Sequence, residues 1–107
     1  MTNVLKISVR VDFSITPGPR FRKQGPFSGE LFRESKLVPA LRGAEKVIVD
    51  MDGTDGFGSS FIDEAFGGLV REHNFSKSDL KRKITVISED DPLVKEDVYQ
   101  AIEDASA

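Results

Sequence analysis

The chain has 107 residues, with 15 Lys and Arg, 18 Asp and Glu and one His, so its formal net charge is −3. This length predicts one domain, and 38% hydrophobic with 31% charged residues predicts a folded, soluble chain. Cysteine is absent, which excludes disulfide scaffolds, thiolate zinc sites and cysteine nucleophiles. A single histidine does not strictly exclude a histidine metal cluster or a Ser-His-Asp hydrolase, but it supplies few of the residues that either needs.

The sequence also bounds the partners and the location. No apolar run approaches the ~20 residues of a membrane helix, and the first ten residues lack a signal-peptide core. We therefore expect a cytoplasmic protein that does not contact a membrane. Residues 1–42 carry eight basic and three acidic side chains, and residues 43–107 carry seven and fifteen. The acidic balance and the absence of Trp argue against a nucleic-acid partner.

The first third of the chain reads as a strand, a loop and a helix. Alternating apolar and polar residues predict an edge strand over residues 4–13. Three Pro and two Gly predict a loop over residues 14–27, with a basic cluster inside it. Ser28 is predicted to cap a helix that Pro39 limits. The residues expected on its buried face are Leu31, Phe32, Ser35 and Val38.

The middle third contains an apolar run, a glycine-rich turn and an amphipathic pattern. Residues 46–51 predict a buried central strand, and residues 52–58 predict a tight turn. In the helix that follows, Ser60 and Asp63 have the spacing of a capping box. Two adjacent glycines inside this helix predict its close approach to the sheet. The expected buried stripe comprises Phe61, Ile62, Ala65, Phe66, Leu69 and Val70.

The last third predicts a polar connection over residues 74–83, a short buried strand over residues 84–88 and a final helix. Asp91 is the expected cap of this helix, with Pro92 at its first position. Its expected buried face comprises Val94, Val98, Ala101 and Ile102. Alternating strands and helices predict an α/β fold with a short, mixed but mostly parallel sheet and helices mainly on one face.

The segment of residues 47–70 fits three chemistries, because ligands bind at the carboxyl ends of strands in open α/β sheets. The first is a phosphate loop, since Gly53, Gly58 and the serines after it copy the spacing of a nucleotide-binding loop. Ser59 stands where that motif needs a lysine. The neighbouring aspartates would also repel phosphate in the absence of a metal ion.

The second chemistry is that of an aspartyl phosphatase. The stretch from Asp50 to Thr54 follows an apolar strand and resembles the first motif of haloacid-dehalogenase-like phosphohydrolases. In that family the first Asp is the nucleophile, the second is the acid and base, and magnesium binds the carboxylates. Lys83 and the Asp90–Asp91 pair would imitate the later motifs. The motif starts near mid-chain, however, which leaves too few residues for that family's core and cap.

The third chemistry is a serine pair at a helix start. The predicted capping box occupies the Ser60 hydroxyl and leaves that of Ser59 exposed. A phosphate on Ser59 would meet the positive end of the helix and add about −1.5 to −2 charge beside three aspartates. Such a change would control the docking of a partner. A plain helix start that binds nothing explains the same two serines.

Several motifs along nearly the whole chain resemble a bacterial family of STAS-like domains of unknown function, related to the STAS domains of sulfate transporters and anti-sigma-factor antagonists. The strand-end Asp50 and Gly53 match the family pattern, and Ser59 falls on the serine that a partner kinase phosphorylates in the antagonists. Gly58 and Phe61 depart from it, because the antagonists have Asp and Gly there. The other matching stretches are residues 17–20, 25–30 and 37–41, and the longest is SSFIDEAFGG, residues 59–68.

The resemblance implies a non-enzymatic regulatory module without catalytic residues, cofactor or metal. Its implied partner is a separate protein with a histidine-kinase-like ATPase domain. The expected phosphoacceptors are Ser59 and Ser60. The expected partner-binding residues are Asp50, Asp52, Gly53, Gly58, Phe61, Asp63 and Glu64, within a docking segment from Gly53 to Phe66.

A second, smaller site is expected at the loop of residues 14–27, which we call the basic loop after its cluster of Arg20, Arg22 and Lys23. Arg20 and the helix start at Ser28 would form an anion site. A solvated loop, or an internal ion pair of Arg20 with Asp50 or Asp52, explains the same residues. On the central helix, Asp63 is expected to act as a cap and Glu64 as a solvent-facing charge. The alternative function that remains open is a magnesium-dependent phosphohydrolase that uses Asp50 and Asp52.

Overall fold

A computed structural model describes residues 3–106. Its three strands, β1 (Val4–Ser8), β2 (Lys46–Asp50) and β3 (Ile84–Ile87), form a parallel sheet in the order β1-β2-β3. Lys6 pairs with Ile48, which in turn pairs with Thr85. The predicted α/β class, the edge position of β1 and the central position of β2 are therefore confirmed. Within the described residues the sheet is purely parallel.

One face of the sheet is covered and the other is open. Val47 and Val49 on β2 are fully buried, as are Ile84 and Val86 on β3 to within a few per cent. On the other face, Lys6 and Thr85 are exposed and Ile48, which pairs with both, is half-buried. This alternation shows that the helices pack on one face, as the sequence predicts, because residues two apart on a strand share a face.

Residues 3–106 contain five helices besides the three strands. Helix α1 is Val9–Asp12, α2 spans residues 29–43, α3 spans residues 59–73, α4 is Lys77–Lys83 and α5 is Pro92–Asp104. The two long helices, α2 and α3, each contain a five-residue π segment, at Arg33–Leu37 and Asp63–Gly67. None of the helices among residues 3–106 has the length and apolar character that a membrane span requires.

The strand predicted near the N-terminus needs correction, and the loop after it does not. The strand predicted over residues 4–13 ends at Ser8, because the Ser8 hydroxyl accepts from the Val11 amide and the Asp12 carboxylate accepts from the Ser8 amide. These bonds turn the chain into α1. The loop of residues 14–27 is confirmed, apart from a single 3₁₀ turn at Arg22–Gln24.

Helix α2 begins as predicted but ends later. Ser28 accepts a hydrogen bond from the Leu31 amide at 3.0 Å, so the predicted cap is confirmed. Pro39 does not end the helix, which continues to Gly43. The π segment ends at Leu37, two residues before Pro39, and widens the preceding turn, which accommodates a residue without an N–H. Of the predicted buried face, Ser35 is exposed and Leu31 is half-buried. The fully buried side chains of this helix are Phe32, Leu37 and Leu41.

The polar connection predicted over residues 74–83 is wrong for its last seven residues, because these form α4. The Ser76 hydroxyl caps this helix by accepting from the Asp79 amide. Helix α5 follows the prediction, with Asp91 as its cap and Pro92 in its first turn. All four residues predicted for its buried face are buried, as are all six on the stripe of α3.

Candidate docking surface at the start of helix α3

The loops after β2 and β3 hold each other through aspartates. The two carboxylate oxygens of Asp52 accept from the backbone amides of Glu89 and Asp90, at 3.0 and 2.9 Å. The Asp90 carboxylate accepts in return from the Gly53 amide at 2.8 Å. Gly53 has a φ of 82°, a conformation that favours glycine. These reciprocal bonds fix the glycine-rich turn at the carboxyl edge of the sheet.

Asp50 ends the central strand beside this turn. One of its oxygens accepts from the Asp52 amide at 3.0 Å, and the other lies 3.8 Å from the Lys6 ammonium. Lys83 lies at the opposite, amino end of β3 and donates to the Leu41 carbonyl. Residues 3–106 contain no cluster of three or more Asp, Glu or His side chains arranged to hold a metal ion.

Helix α3 starts at Ser59, and both serines are exposed. The predicted capping box is wrong: Gly58 is the cap residue, and no side chain caps this end. Asp63 does not reach back to the helix start, because its carboxylate binds two arginines instead. Within the described residues neither the Ser59 nor the Ser60 hydroxyl makes a hydrogen bond, so both are available to a partner.

A groove of about 240 Å³ runs beside Ser59, between the start of α3 and helix α5. Its acidic wall on α5 carries Asp97 and Asp104, and α3 contributes Asp63. Sequence reasoning missed this wall. The signal was present, because Asp97, Gln100 and Asp104 follow the i, i+3, i+7 spacing of one helix face.

Apolar side chains flank the turn on its other side. The Asp55 amide donates to the Ile15 carbonyl at 2.8 Å, which holds the loop of residues 14–27 against the glycine-rich turn. Ile15 is 49% exposed and Val11 on α1 is 72% exposed. Phe57 is half-buried and packs on Phe61, with 5.4 Å between the ring centroids. The exposed surface is therefore both acidic and apolar.

Two of the expected partner-binding residues lie inside the protein. Phe61 is fully buried, and Glu64 is 5% exposed. The expectation of a solvent-facing Glu64 is wrong, because α2 covers it. The other expected residues, Asp50, Asp52, Gly53, Gly58 and Asp63, are exposed or half-buried.

Glu64 belongs to a charged layer between α2, α3 and the basic loop. Buried Arg33 donates to the Glu64 carboxylate at 2.7 Å and to the Glu64 backbone carbonyl at 2.6 Å. The layer extends at both ends, from Arg20 at the basic loop to His73 at the end of α3. We call this set the charge layer; its members are Arg20, Arg33, Glu34, Asp63, Glu64, Arg71 and His73.

The charge layer also explains the paired glycines of α3. A Cβ at Gly68 would lie 2.1 Å from the Arg33 guanidinium. A Cβ at Gly67 would lie 2.8 Å from the Arg71 guanidinium and 3.1 Å from the Ala101 carbonyl. The close approach predicted from these glycines therefore exists, but its target is two arginines and helix α5. The sheet is not involved.

The carboxylate partners of Arg20 inside the protein are Asp63 and Glu64, which belong to the charge layer. Arg20 donates to Asp63 at 2.6 Å and to Glu64 at 3.3 Å, and the expected pairing with Asp50 or Asp52 is wrong. The hydrogen bond that Arg20 donates to the Asp63 carboxylate raises the pKa of Arg20, although burial acts against it. Burial alone would raise the pKa of Asp63, but hydrogen bonds and charges from Arg20 and Arg71 hold it below its ordinary value.

The helix start at Ser28 has backbone partners. The amides of Gly29 and Glu30 donate to the carbonyls of Pro19 and Arg20, at 2.9 and 3.0 Å. Ser28 itself is fully buried. The structure thus brings Arg20 and Ser28 near each other, with Arg20 Nη1 and the Ser28 hydroxyl already hydrogen-bonded within the protein. An anion at this place stays a prediction.

The comparison with known families agrees with this fold. The model of a family described as STAS-like domain of unknown function (DUF4325) matches residues 28–94. No curated protein and no solved structure matches the chain. The matched region begins at the cap of α2 and ends in the first turn of α5, so it contains β2, β3 and the whole docking segment. Since it covers more than half of the sequence, the chain belongs to this family of STAS-like domains.

Proposed function

We propose that this chain is a non-enzymatic protein-interaction module whose partner docks on the exposed start of α3. The observation that carries the proposal is the pair of exposed serines with unbound hydroxyls, between the rigid glycine-rich turn and the acidic groove. A small, fixed surface of this kind suits recognition by another protein, because little ordering is needed on binding. The half-buried and exposed apolar side chains beside it supply area to bury.

Phosphorylation of Ser59 is the proposed switch. A phosphoryl group there would add about −1.5 to −2 charge to a surface that already carries Asp55 and faces Asp97. A partner that docks on the unmodified surface would then lose affinity through repulsion and desolvation of the added charge. By the family resemblance, the proposed partner is a separate histidine-kinase-like ATPase, which would also be the kinase.

The test is a binding measurement by isothermal titration calorimetry with each purified ATPase-domain protein of this kind from the same genome. Ser59→Glu is expected to weaken binding at least about tenfold, which corresponds to about 1.4 kcal/mol. Ser78→Glu is the matched control, because Ser78 is exposed in the first turn of α4, away from this surface. Equal binding of wild type and Ser59→Glu, or no binding to any of these proteins, would contradict the proposal.

The phosphohydrolase alternative has less support from the geometry. Both oxygens of Asp52 already accept backbone amides, and the sheet separates Lys83 from Asp50. Strand β3 spans four residues, so about 10 Å or more lies between its ends. Turnover of p-nitrophenyl phosphate with magnesium, lost in Asp50→Asn, would replace the proposed module by an enzyme. We expect no turnover above the buffer rate.

A further inference from the structure

We propose that the outer edge of strand β1 is a pairing surface for a second copy of this chain, so that two β1 strands join antiparallel across a two-fold axis. The proposal goes beyond the proposed function, because this edge lies outside the docking segment from Gly53 to Phe66. It rests on the outward backbone groups of β1, on the closure of the opposite edge of the sheet and on a register that the side chains of β1 select.

The backbone groups of β1 point alternately toward β2 and away from it. The Lys46 amide donates to the Asn3 carbonyl at 3.1 Å, which places the odd-numbered residues of β1 on the β2 side. The amides and carbonyls of Val4 and Lys6 therefore point outward, and no group within residues 3–106 hydrogen-bonds to them. A row of unpaired backbone groups is a template for another strand.

The opposite edge of the sheet, at β3, is closed by a side chain. The Met51 amide donates to the Ile87 carbonyl, so the outward groups of β3 belong to Ile84 and Val86. The Tyr99 hydroxyl on α5 donates to the Ile84 carbonyl at 2.8 Å, and the Val86 amide lies against the same oxygen. In the part of the chain that the structure describes, β1 is therefore the open edge.

The open edge also exposes apolar side chains. Val4 is 47% exposed and Leu5 is 42% exposed, whereas Ile7 on the same face as Leu5 is buried. Leu5 thus lies at the margin of the face on which the helices pack. A further strand would run about 4.7–4.9 Å from β1 and would cover both exposed residues. Pairing would therefore bury apolar area in addition to forming backbone hydrogen bonds.

A second copy fits this edge in one register. Outward groups bond only to outward groups, so even-numbered residues must lie opposite even-numbered residues. An axis at Lys6 would place two ammonium groups opposite each other, and like charges there are destabilising. An axis at Val4 would form only one such pair within the strand, because β1 begins there. An axis at Leu5 places Val4 opposite Lys6 on both sides, and each of these pairs exchanges both N–H···O bonds.

The pairing is short, which sets its strength. It ends before Ser8, because the Ser8 amide already donates to the Asp12 carboxylate at 2.7 Å. The contact is therefore confined to residues 4–7 of each copy, with the two Leu5 side chains at its centre. So small an interface predicts a reversible dimer, with a Kd between about 1 μM and 1 mM.

The experiment is sedimentation equilibrium of the wild-type chain, of Leu5→Glu and Leu5→Lys alone, and of an equal mixture of the two variants. In the proposed register the two Leu5 residues form a non-hydrogen-bonded pair, whose Cα atoms lie about 4.5 Å apart. Like charges there repel and opposite charges attract. We expect each variant alone to dimerise at least about tenfold more weakly than wild type, and the mixture to associate at least about tenfold more tightly than either variant alone.

Leu93→Glu and Leu93→Lys are the matched controls, because Leu93 is 62% exposed on α5 and lies outside the pairing edge. They should dimerise as wild type does, alone and mixed. Thermal unfolding of each variant shows that it is folded before its sedimentation is interpreted. A wild-type chain that stays monomeric at about 1 mM would overturn the inference and leave the edge to a strand of another protein. A mixture of the Leu5 variants that associates no better than its components, or an equal loss in the Leu93 variants, would also overturn it.

Discussion

Carboxylate side chains have different roles in the charge layer and at the carboxyl edge of the sheet. In the charge layer, carboxylates meet arginines at 2.6–3.7 Å, and the central pair of Arg33 and Glu64 is buried. At the sheet edge, Asp52 and Asp90 accept from backbone amides, and the serines beyond them are bound by nothing among residues 3–106. The first region holds two helices together, and the second leaves groups free for a partner.

This difference shows why a motif of charged residues needs its surroundings before it is assigned a role. Asp63 and Glu64 are adjacent in the docking segment, yet both are committed to arginines that lie far from them in sequence. Ser59 and Ser60, which precede them, make no side-chain hydrogen bond within residues 3–106. The three predictions that follow test this separation, from the largest expected effect to the smallest.

The largest effect is expected from Glu64→Gln. The change removes the buried negative charge that faces Arg33 and leaves the buried guanidinium with the partly exposed Glu34 as its carboxylate partner. The loss of one partner from a buried ion pair is strongly unfavourable. We expect a loss of about 3 kcal/mol in the free energy of unfolding, measured by urea denaturation. Asp55→Asn, at an exposed position of the sheet edge, should change it by less than about 0.5 kcal/mol. Similar losses in both variants would show that the charge layer has no special structural role.

Gly68→Ala is expected to have the next largest effect. The new Cβ would lie 2.1 Å from the end of Arg33 and 2.9 Å from its Cζ, and the buried guanidinium cannot move without losing its bonds to Glu64. We expect a loss of about 2 kcal/mol, within the range for overpacking of an interior. Gly43→Ala is the control, because no atom lies within 4 Å of its added Cβ. A Gly68→Ala variant as stable as wild type would contradict the proposed contact.

The smallest effect separates two serines at helix starts. Ser28→Ala removes a cap hydroxyl that accepts from the Leu31 amide, so a loss of about 1 kcal/mol is expected. Ser60→Ala removes a hydroxyl without a hydrogen bond and should change the stability by less than about 0.5 kcal/mol. Thermal unfolding of the two variants under the same conditions makes the comparison. A larger loss of stability in Ser60→Ala than in Ser28→Ala would contradict this assignment, because it would show that the Ser60 hydroxyl caps the helix.

Local patterns in the sequence determined the parallel α/β fold, the central strand, the caps at Ser28 and Asp91 and the buried stripes of α3 and α5. The caps depend on residues within one helical turn, and the strands and buried stripes depend on the spacing of apolar residues. Both kinds of information can be read from a single sequence. The end of β1 at Ser8 was also within reach, because Ser8 and Asp12 are close enough to bond each other. The apolar alternation over residues 4–13 instead favours a longer strand.

Only the tertiary structure decided where the charges go. Arg20 meets a carboxylate 43 residues later, and Arg33 meets one 31 residues later. No spacing rule connects such residues, because the packing of α2 against α3 brings them together. Arg20 and Arg71 hold the Asp63 carboxylate, so it does not form a capping box with Ser60. The Ser59 and Ser60 hydroxyls are exposed and make no hydrogen bond within residues 3–106.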